Sequence, residues 1–302
     1  MRPVDTYSIV AIDKKSAEMG VAVQSHWFSV GSVVTWAEAG IGIVATQASV
    51  EISYGPLGLA LMKGGKTPQQ ALKSLLATDP RPEVRQVAML DSHGRVAVHT
   101  GRKCMPEAGH TTGRGFSAQA NIMRNRRVWN AMARSFRRSK GSLAERLMLA
   151  LESAEQAGGD LRGRQSAAIL VVKVTGSSAP WHDRVVDLRV EDHPRPLVEM
   201  RRLLRIHEAF THANNGDLLM EKGENARAME EYRRSSSLCP ENPELGFWQA
   251  VTLLNHGELA EGRSILKSVF RANRDLKTLL GRLPSVGLLK VDKETLQQLQ
   301  KL

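Results

Sequence analysis

Thr6-Tyr7-Ser8-Ile9-Val10-Ala11-Ile12, the polar turn Asp13-Lys14-Lys15-Ser16 and the run Met19-Gly20-Val21-Ala22-Val23-Gln24 read together as a tight hairpin at the start of the chain. Short runs of β-branched and apolar residues joined by a polar turn favour antiparallel pairing over a helix. Working outward, Ile41–Thr46 is a third strand, with Gly42 marking a close backbone approach. Gly55-Pro56 opens a short helix that ends at Gly64-Gly65, and Thr67-Pro68 caps another that runs to about Ala77. Gln86–Leu90 and Arg95–Thr100 flank Asp91-Ser92-His93-Gly94 as a further hairpin. Helices follow over about 122–138 and 142–157; the second has Ser142 and Glu145 spaced as a capping box and stops at Gly158-Gly159. Ala167–Val174 reads as a buried strand and Val185–Val190 as an exposed one. Hairpins separated by helix pairs predict an α+β fold, a layered sheet sandwich with helices outside, rather than a parallel doubly wound sheet.

After Val190 the pattern changes. Asp192-His193-Pro194-Arg195-Pro196 is a linker, and everything beyond Leu197 reads as helix. The boundaries this gives are 1–191 for the sandwich, 192–196 for the linker and 197–302 for an all-α domain; 302 residues suit about two domains. In a 34-residue frame that starts at Ala209, Gly216, Gly223, Ala228, Tyr232 and Pro240 take the small, turn, small, aromatic and stop positions of a tetratricopeptide repeat. One period on, Ala250, Gly257, Gly262 and Leu266 take the matching roles. Small residues let two antiparallel helices touch, and the glycine turns the chain between them. A preceding helix over about 197–210 and the C-terminal helices are expected to cover the ends. Such a domain suggests a protein or peptide partner.

Composition excludes some classes. Hydrophobic residues make up 42% and charged residues 24%, too apolar for a disordered chain, and no apolar run approaches the roughly 20 residues of a spanning helix. Met1-Arg2-Pro3-Val4-Asp5 does not open a secretory signal, and Cys104 and Cys239 suit reduced thiols, so a cytoplasmic protein is expected. The histidines lack metal-ligand spacing, and no cofactor motif is present; no metal and no cofactor are expected. The net charge is +11, and +8 of it falls between Ala108 and Ala144, which contains no acidic residue. Arg124, Arg126, Arg127, Arg134, Arg137, Arg138 and Lys140 surround Trp129, Met132, Ala133 and Phe136, spaced as the inner face of an amphipathic helix. This Arg-rich helix, 124–140, is either a polyanion-binding patch or a solvated face. No nucleic-acid recognition motif accompanies it, so nucleic acid is not the expected partner.

The motifs Thr6–Ala11, Gly20–Ser25, Val30–Val34, Ala45–Gln47, Tyr54–Pro56, Asn121–Met123 and, most distinctive, Gly158-Gly159-Asp160-Leu161-Arg162-Gly163-Arg164-Gln165-Ser166-Ala167-Ala168 occur in order over about 170 residues. In them the chain resembles a bacterial family known as domain of unknown function 1028, which looks like a member of the N-terminal-nucleophile hydrolases. That resemblance implies a four-layer αββα sandwich and Thr6 as catalytic nucleophile, with its own α-amine as base. In the family the matching Thr commonly follows the initiator Met. Here five residues precede it, so the mechanism requires cleavage between Asp5 and Thr6.

The site is expected where the first strand begins, with Ser25, Asn121, Asp160 and Arg164 as substrate-binding groups, Asp160 holding Arg164, and residues 1–5 lying over the pocket. Ser25 and His26 are neighbours on a strand and point to opposite faces, so they do not form a catalytic pair. Three functions compete: an amidohydrolase acting on a small amide once Thr6 is free, a non-catalytic ligand-binding scaffold that grips a partner through its repeats, and a polyanion binder. A homodimer is expected only by analogy with other sandwiches of this type.

Overall fold

The computed structural model describes Val4 and residues 6–302. The chain divides into two compact units, residues 1–204 and 205–302.

The first unit opens with the hairpin of β1 (Thr6–Asp13) and β2 (Glu18–Ser25). A single turn α1 (Gly31–Val34) leads to β3 (Thr35–Glu38) and β4 (Gly42–Ala48), then to α2 (Tyr54–Lys63) and α3 (Pro68–Thr78). Strands β5 (Arg85–Asp91), β6 (Val96–Thr100), β7 (Gly109–Gly113) and β8 (Phe116–Ala120) precede α4 (Val128–Arg138) and α5 (Leu143–Gln156). Strands β9 (Ser166–Lys173) and β10 (Arg184–Val190) close the unit. Six strands pair in the order β10-β9-β2-β1-β8-β7 and four in the order β3-β4-β5-β6, each adjacent pair antiparallel.

The period-2 alternation of β1 sets the layers. Tyr7, Ile9 and Ala11 face Trp129, Met132, Phe136, Leu147 and Leu151 of α4 and α5. Val10 and Ile12 face the other way, onto Ile43, Ala45, Ala88 and Leu90 of the second sheet. The far side of that sheet, Val44, Val87 and Met89, packs on Tyr54, Leu59, Met62 and Leu72 of α2 and α3. A central strand covered on both faces favours apolar residues, which is why Ile9–Ile12 of β1 read as an unbroken apolar run; Thr6 and Ser8 are the buried polar exceptions.

Several local expectations change. The Thr67 cap is a full capping box with Gln70. Ser142 accepts from Glu145 N, but the Glu145 carboxylate turns outward to Arg201 instead of back to the cap. The helix expected from residue 122 begins at Val128, because Ile122 has φ +55° and Met123 forms a bridge with Asp160. Strand β3 and the β7–β8 hairpin were not anticipated. Gly113 of that hairpin admits no side chain: a Cβ there would lie 2.1 Å from the Phe116 ring.

A buried ion pair joins the outer helices to the second sheet. Arg85 Nε donates to Asp79 Oδ2 at 2.7 Å, and Tyr54 Oη donates to the same oxygen at 3.0 Å. The Arg85 guanidinium holds the Asp79 carboxyl down at about 2. The folded pKa is depressed, so this stabilisation is complete above the unfolded value near 4 and fades as pH falls through about 2. Asp79→Asn is therefore expected to cost about 1–2 kcal/mol near neutrality, allowing for screening at this edge of the unit. The gap to the parent chain should narrow between pH 4 and pH 2. Denaturant midpoints measured across that range check it; a gap that does not depend on pH refutes it.

The second helical group begins within α6 (Pro196–Glu221), a single helix where the sequence suggested one ending near 210; no Gly or Pro interrupts residues 197–215. Leu197, Met200 and Leu204 of α6 belong to the first unit's core. The second unit continues with α7 (Asn225–Leu238), α8 (Pro243–Asn255), α9 (Leu259–Ala272), α10 (Asp275–Arg282) and α11 (Lys293–Gln300). Gly223 and Gly257, which follow α6 and α8, have φ +73° and +87°, so only glycine turns there without strain. Among the described residues, no helix is long and apolar enough to cross a membrane.

Candidate functional site

Thr6 heads β1, the strand between β2 and β8, and is fully buried. Antiparallel register sets it opposite Ser25, the last residue of β2. Asn121 follows β8, and its backbone N–H donates to Thr6 O at 3.1 Å. Thr6, Ser25 and Asn121 are thus brought together, and all three are buried. Thr6 Oγ1 donates to Val4 O at 2.9 Å. Val4 itself pairs with Ala48, with N–H···O distances of 2.7 and 3.0 Å, and is buried. Of the residues expected to lie over the site, Val4 is therefore seated beside β4; Met1–Pro3 and Asp5 lie outside the described residues.

The Gly158–Ser166 turn closes over the same end of the sheet. Arg124 N donates to Gly159 O, Leu161 N to Ile122 O and Gln165 N to Ser25 O, so the turn binds the ends of both β2 and β8. Gly158, Gly159 and Gly163 have φ +126°, +60° and +117°. The expected Asp160–Arg164 pair does not form. Asp160 Oδ1 accepts from Arg162 N at 2.9 Å, a turn that an Asp side chain makes with the backbone two residues on. The same turn lays the Arg162 guanidinium on Asp160 Oδ2 at 2.8 Å. Asp160 Oδ2 also accepts from His26 N at 3.3 Å. Arg164, beyond Gly163, pairs instead with Glu155 of α5. Glu155 in turn accepts from Tyr7 Oη at 2.8 Å, and burial together with this carboxylate pushes the Tyr7 hydroxyl well up. Arg164 thus reaches the residue after Thr6 but works on the helix side of the sheet, whereas Thr6 shares the inter-sheet side with Val10.

Sequence reasoning missed a buried polar chain that runs between the sheets to Thr6. Ser117 Oγ donates to Gln119 Oε1, Gln119 Nε2 to Ser8 Oγ, and Ser8 Oγ to Gln47 Oε1, at 2.8, 2.7 and 2.6 Å. Gln47 Nε2 then donates to Gln86 Oε1 at 2.7 Å and to Thr6 O at 3.3 Å. Asn121 Nδ2 shares Gln86 Oε1 at 2.9 Å. Gln86 Nε2 spreads over Thr100 Oγ1, Gly109 O and Ala120 O. Asn121 Oδ1 is buried with no hydrogen-bond partner. The available signal was period 2: Gln47 and Gln86 fall on the same strand faces as Ala45 and Ala88, positions that are otherwise apolar. Gln86→Leu is expected to cost about 2–3 kcal/mol, because it leaves the buried Asn121 amide N–H without its acceptor and takes one of two acceptors from Gln47 Nε2. Chemical denaturation checks this; a loss below about 0.5 kcal/mol means that this polar chain does not stabilise the fold.

Among the described residues, no group of three or more His, Cys, Asp or Glu side chains is arranged to hold a metal ion. The site as it stands is a buried threonine whose hydroxyl and carbonyl are both engaged and whose nitrogen is an amide; among the described residues, amide and hydroxyl side chains form the hydrogen-bonded chain that reaches it.

A family model described as a family of unknown function (DUF1028) matches residues 6–200, beginning at Thr6 itself. The chain belongs to this family. Among solved structures, protein SPO2555 from Silicibacter pomeroyi, of the same family, is similar at 28% identity with a TM-score of 0.60, covering 66% of this chain and 88% of that one. No curated protein matches.

Proposed function

We propose that this chain is an amide-bond hydrolase of the N-terminal-nucleophile type, latent while residues 1–5 remain attached to Thr6. The observation that carries this reading is the position of Thr6: first residue of a central strand, buried, with its hydroxyl on the carbonyl of the preceding arm at Val4. The layer order helices–sheet–sheet–helices agrees with the αββα sandwich of that superfamily. Hydrolysis of the Asp5–Thr6 peptide bond gives Thr6 a free α-amine. That amine takes the Oγ1 proton as the oxygen attacks an amide carbonyl, and an acyl-enzyme forms as the amine product leaves. Water then releases the acid. Under this reading Ser25 and Asn121, buried beside Thr6, contact the substrate once the preceding arm has left; Asp160 and Arg164 support the turn around it through Arg162 and Glu155.

Intact-mass measurement and N-terminal sequencing test the activation step, followed by incubation of both forms with a panel of N-acyl amino acids and short peptide amides. The expected result is turnover by the form that begins at Thr6 and none by the form that begins at Met1. Equal turnover by both, or a Thr6→Ala chain as active as its parent, overturns the reading.

A second reading, a non-catalytic scaffold, is favoured by the helical unit. Its 34-residue spacing and glycine turns resemble tetratricopeptide repeats, and a cleft of about 500 Å³ opens among Met229, Arg233, Leu245, Gln249, Ile265 and Val269. Under this reading Thr6 stays sealed and the helices hold a protein or peptide partner. Absence of turnover from a verified Thr6-first chain is the result that moves the balance to it.

A further inference from the structure

The helix α4 is amphipathic in a strict sense. Val128, Trp129, Ala131, Met132, Ala133 and Phe136 are all buried against the six-stranded sheet. Its outward side carries Arg134, Arg137 and Arg138, with Arg124, Arg126 and Arg127 just before it and Lys140 just after, all exposed. The β7–β8 turn adds exposed Arg114. Hairpin and helix form one face: Trp129 packs against Gly109 at the start of β7, where a Cβ would come within 2.6 Å, and Arg137 Nη2 donates to Thr112 O near the turn at 3.3 Å. Among the described residues one carboxylate lies within ion-pairing distance of these eight cations, Glu107, 3.4 Å from Arg126. Like charges gathered on one face repel one another, which is a cost to folding unless an anion neutralises them.

We propose that this face of α4 and the β7–β8 turn is a docking surface for double-stranded nucleic acid, gripped through its phosphates. The cations are guanidiniums in seven of eight cases, the group that binds phosphate through two parallel N–H bonds. From Arg127 to Arg138 the helix spans about 16 Å, a length over which a duplex presents about nine phosphate charges. The aromatic residues of the face, Phe116, Trp129 and Phe136, are buried, so nothing is offered on which single-stranded bases stack. No apolar side chain of α4 is exposed, so the helix has nothing to sink into a lipid surface. The absence of a base-reading motif fits a contact that reads charge and shape alone. The surface is independent of Thr6 and of its activation.

The test is fluorescence anisotropy of the full chain with a labelled 20-base-pair DNA duplex between 50 and 300 mM NaCl. The expected log–log slope of affinity against salt is about −3 or steeper. Replacing Arg124, Arg127, Arg134 and Arg138 by Gln should weaken binding at 50 mM NaCl by about 100-fold or more and flatten the slope by about 3. Replacing Lys63, Lys66, Lys73 and Arg81 by Gln removes the same charge on the α2–α3 side and should change affinity by less than about 5-fold. Glu107→Gln, which removes the face's own carboxylate, should tighten binding and guards against a quadruple variant that folds poorly. Duplex RNA binding within a few-fold of DNA supports a phosphate grip. A slope shallower than about −1, equal losses in the two quadruple variants, or displacement of the duplex by anionic phospholipid vesicles at lower concentration than by unlabelled duplex overturns it.

Discussion

A chain that begins at Thr6 is expected to hydrolyse amides, and Thr6→Ala in that chain is expected to lower the rate by about 10³-fold or more. The size follows from what the substitution removes. In the proposed mechanism nucleophile and base act as a unit, and deleting one member of such a unit costs nearly as much as deleting all of it. Folding should be little affected: Thr6 Oγ1 makes one hydrogen bond, to Val4 O, which the shortened chain lacks in any case. The pH profile supplies a readout that a structural role would not move. An α-amine titrates near 7.7–8.0, so activity should rise with pH through about 8 as the amine loses its proton. Thr6→Ser should keep both the profile and part of the rate, since the hydroxyl and amine remain. Steady-state assays from pH 6 to 9 on the three chains check these outcomes. Activity that is independent of pH across that range, or retained in Thr6→Ala, means that Thr6 is not the nucleophile.

The parts of this molecule that sequence reasoning reached are those where a local rule and the tertiary environment agree. Ile9–Ile12 of β1 and Met19–Val23 of β2 lack polar residues on either face because both faces are covered, and the turn between them is polar because it meets water. Thr67 with Gln70 closes a capping box entirely from nearby residues. The misses have the opposite character. Strand β7 is Gly-His-Thr-Thr-Gly at a sheet edge, stabilised by pairing with β8 and not by any apolar pattern of its own. The start of α4 was displaced because Met123 bridges to Asp160, 37 positions away, which no window of sequence reveals. In the site, Thr6, Ser25 and Asn121 met as expected because strand register alone sets the first two opposite each other. Asp160 meets Arg162 and not Arg164 because its carboxylate accepts from the Arg162 backbone N–H two residues on, which brings that guanidinium to it, while Arg164 pairs with Glu155. The burial of Gln47 and Gln86 is not legible because one glutamine per strand looks like a surface residue until its face is known.

Tyr232→Ala is expected to cost the helical unit about 3–5 kcal/mol. The ring is 1% exposed and rests on the backbone of α6 at Gly216, where a Cβ would come within 2.5 Å of it; Met220, Ala228 and Leu253 complete the cluster. Neighbours this tightly placed cannot collapse into the space a missing ring leaves, so a cavity cost adds to the lost burial. The hydroxyl contributes separately. Tyr232 Oη donates to Asp217 Oδ1 at 2.7 Å, and Thr252 Oγ1 donates to the same oxygen at 2.9 Å, so one carboxylate ties α7 and α8 to α6. Burial and that carboxylate push the Tyr232 hydroxyl well up, keeping it a donor at any pH the protein meets. Tyr232→Phe should therefore lose about 1–2 kcal/mol, and less than Tyr232→Ala, because Asp217 keeps Thr252. Amide hydrogen exchange by mass spectrometry reads both. In Tyr232→Ala, peptides from α7 and α8 should exchange faster while those from β1 and β2 do not change. A cost for Tyr232→Ala below about 1 kcal/mol contradicts the packing, since a ring that can be deleted at so little expense is not what holds the glycine faces of these helices together.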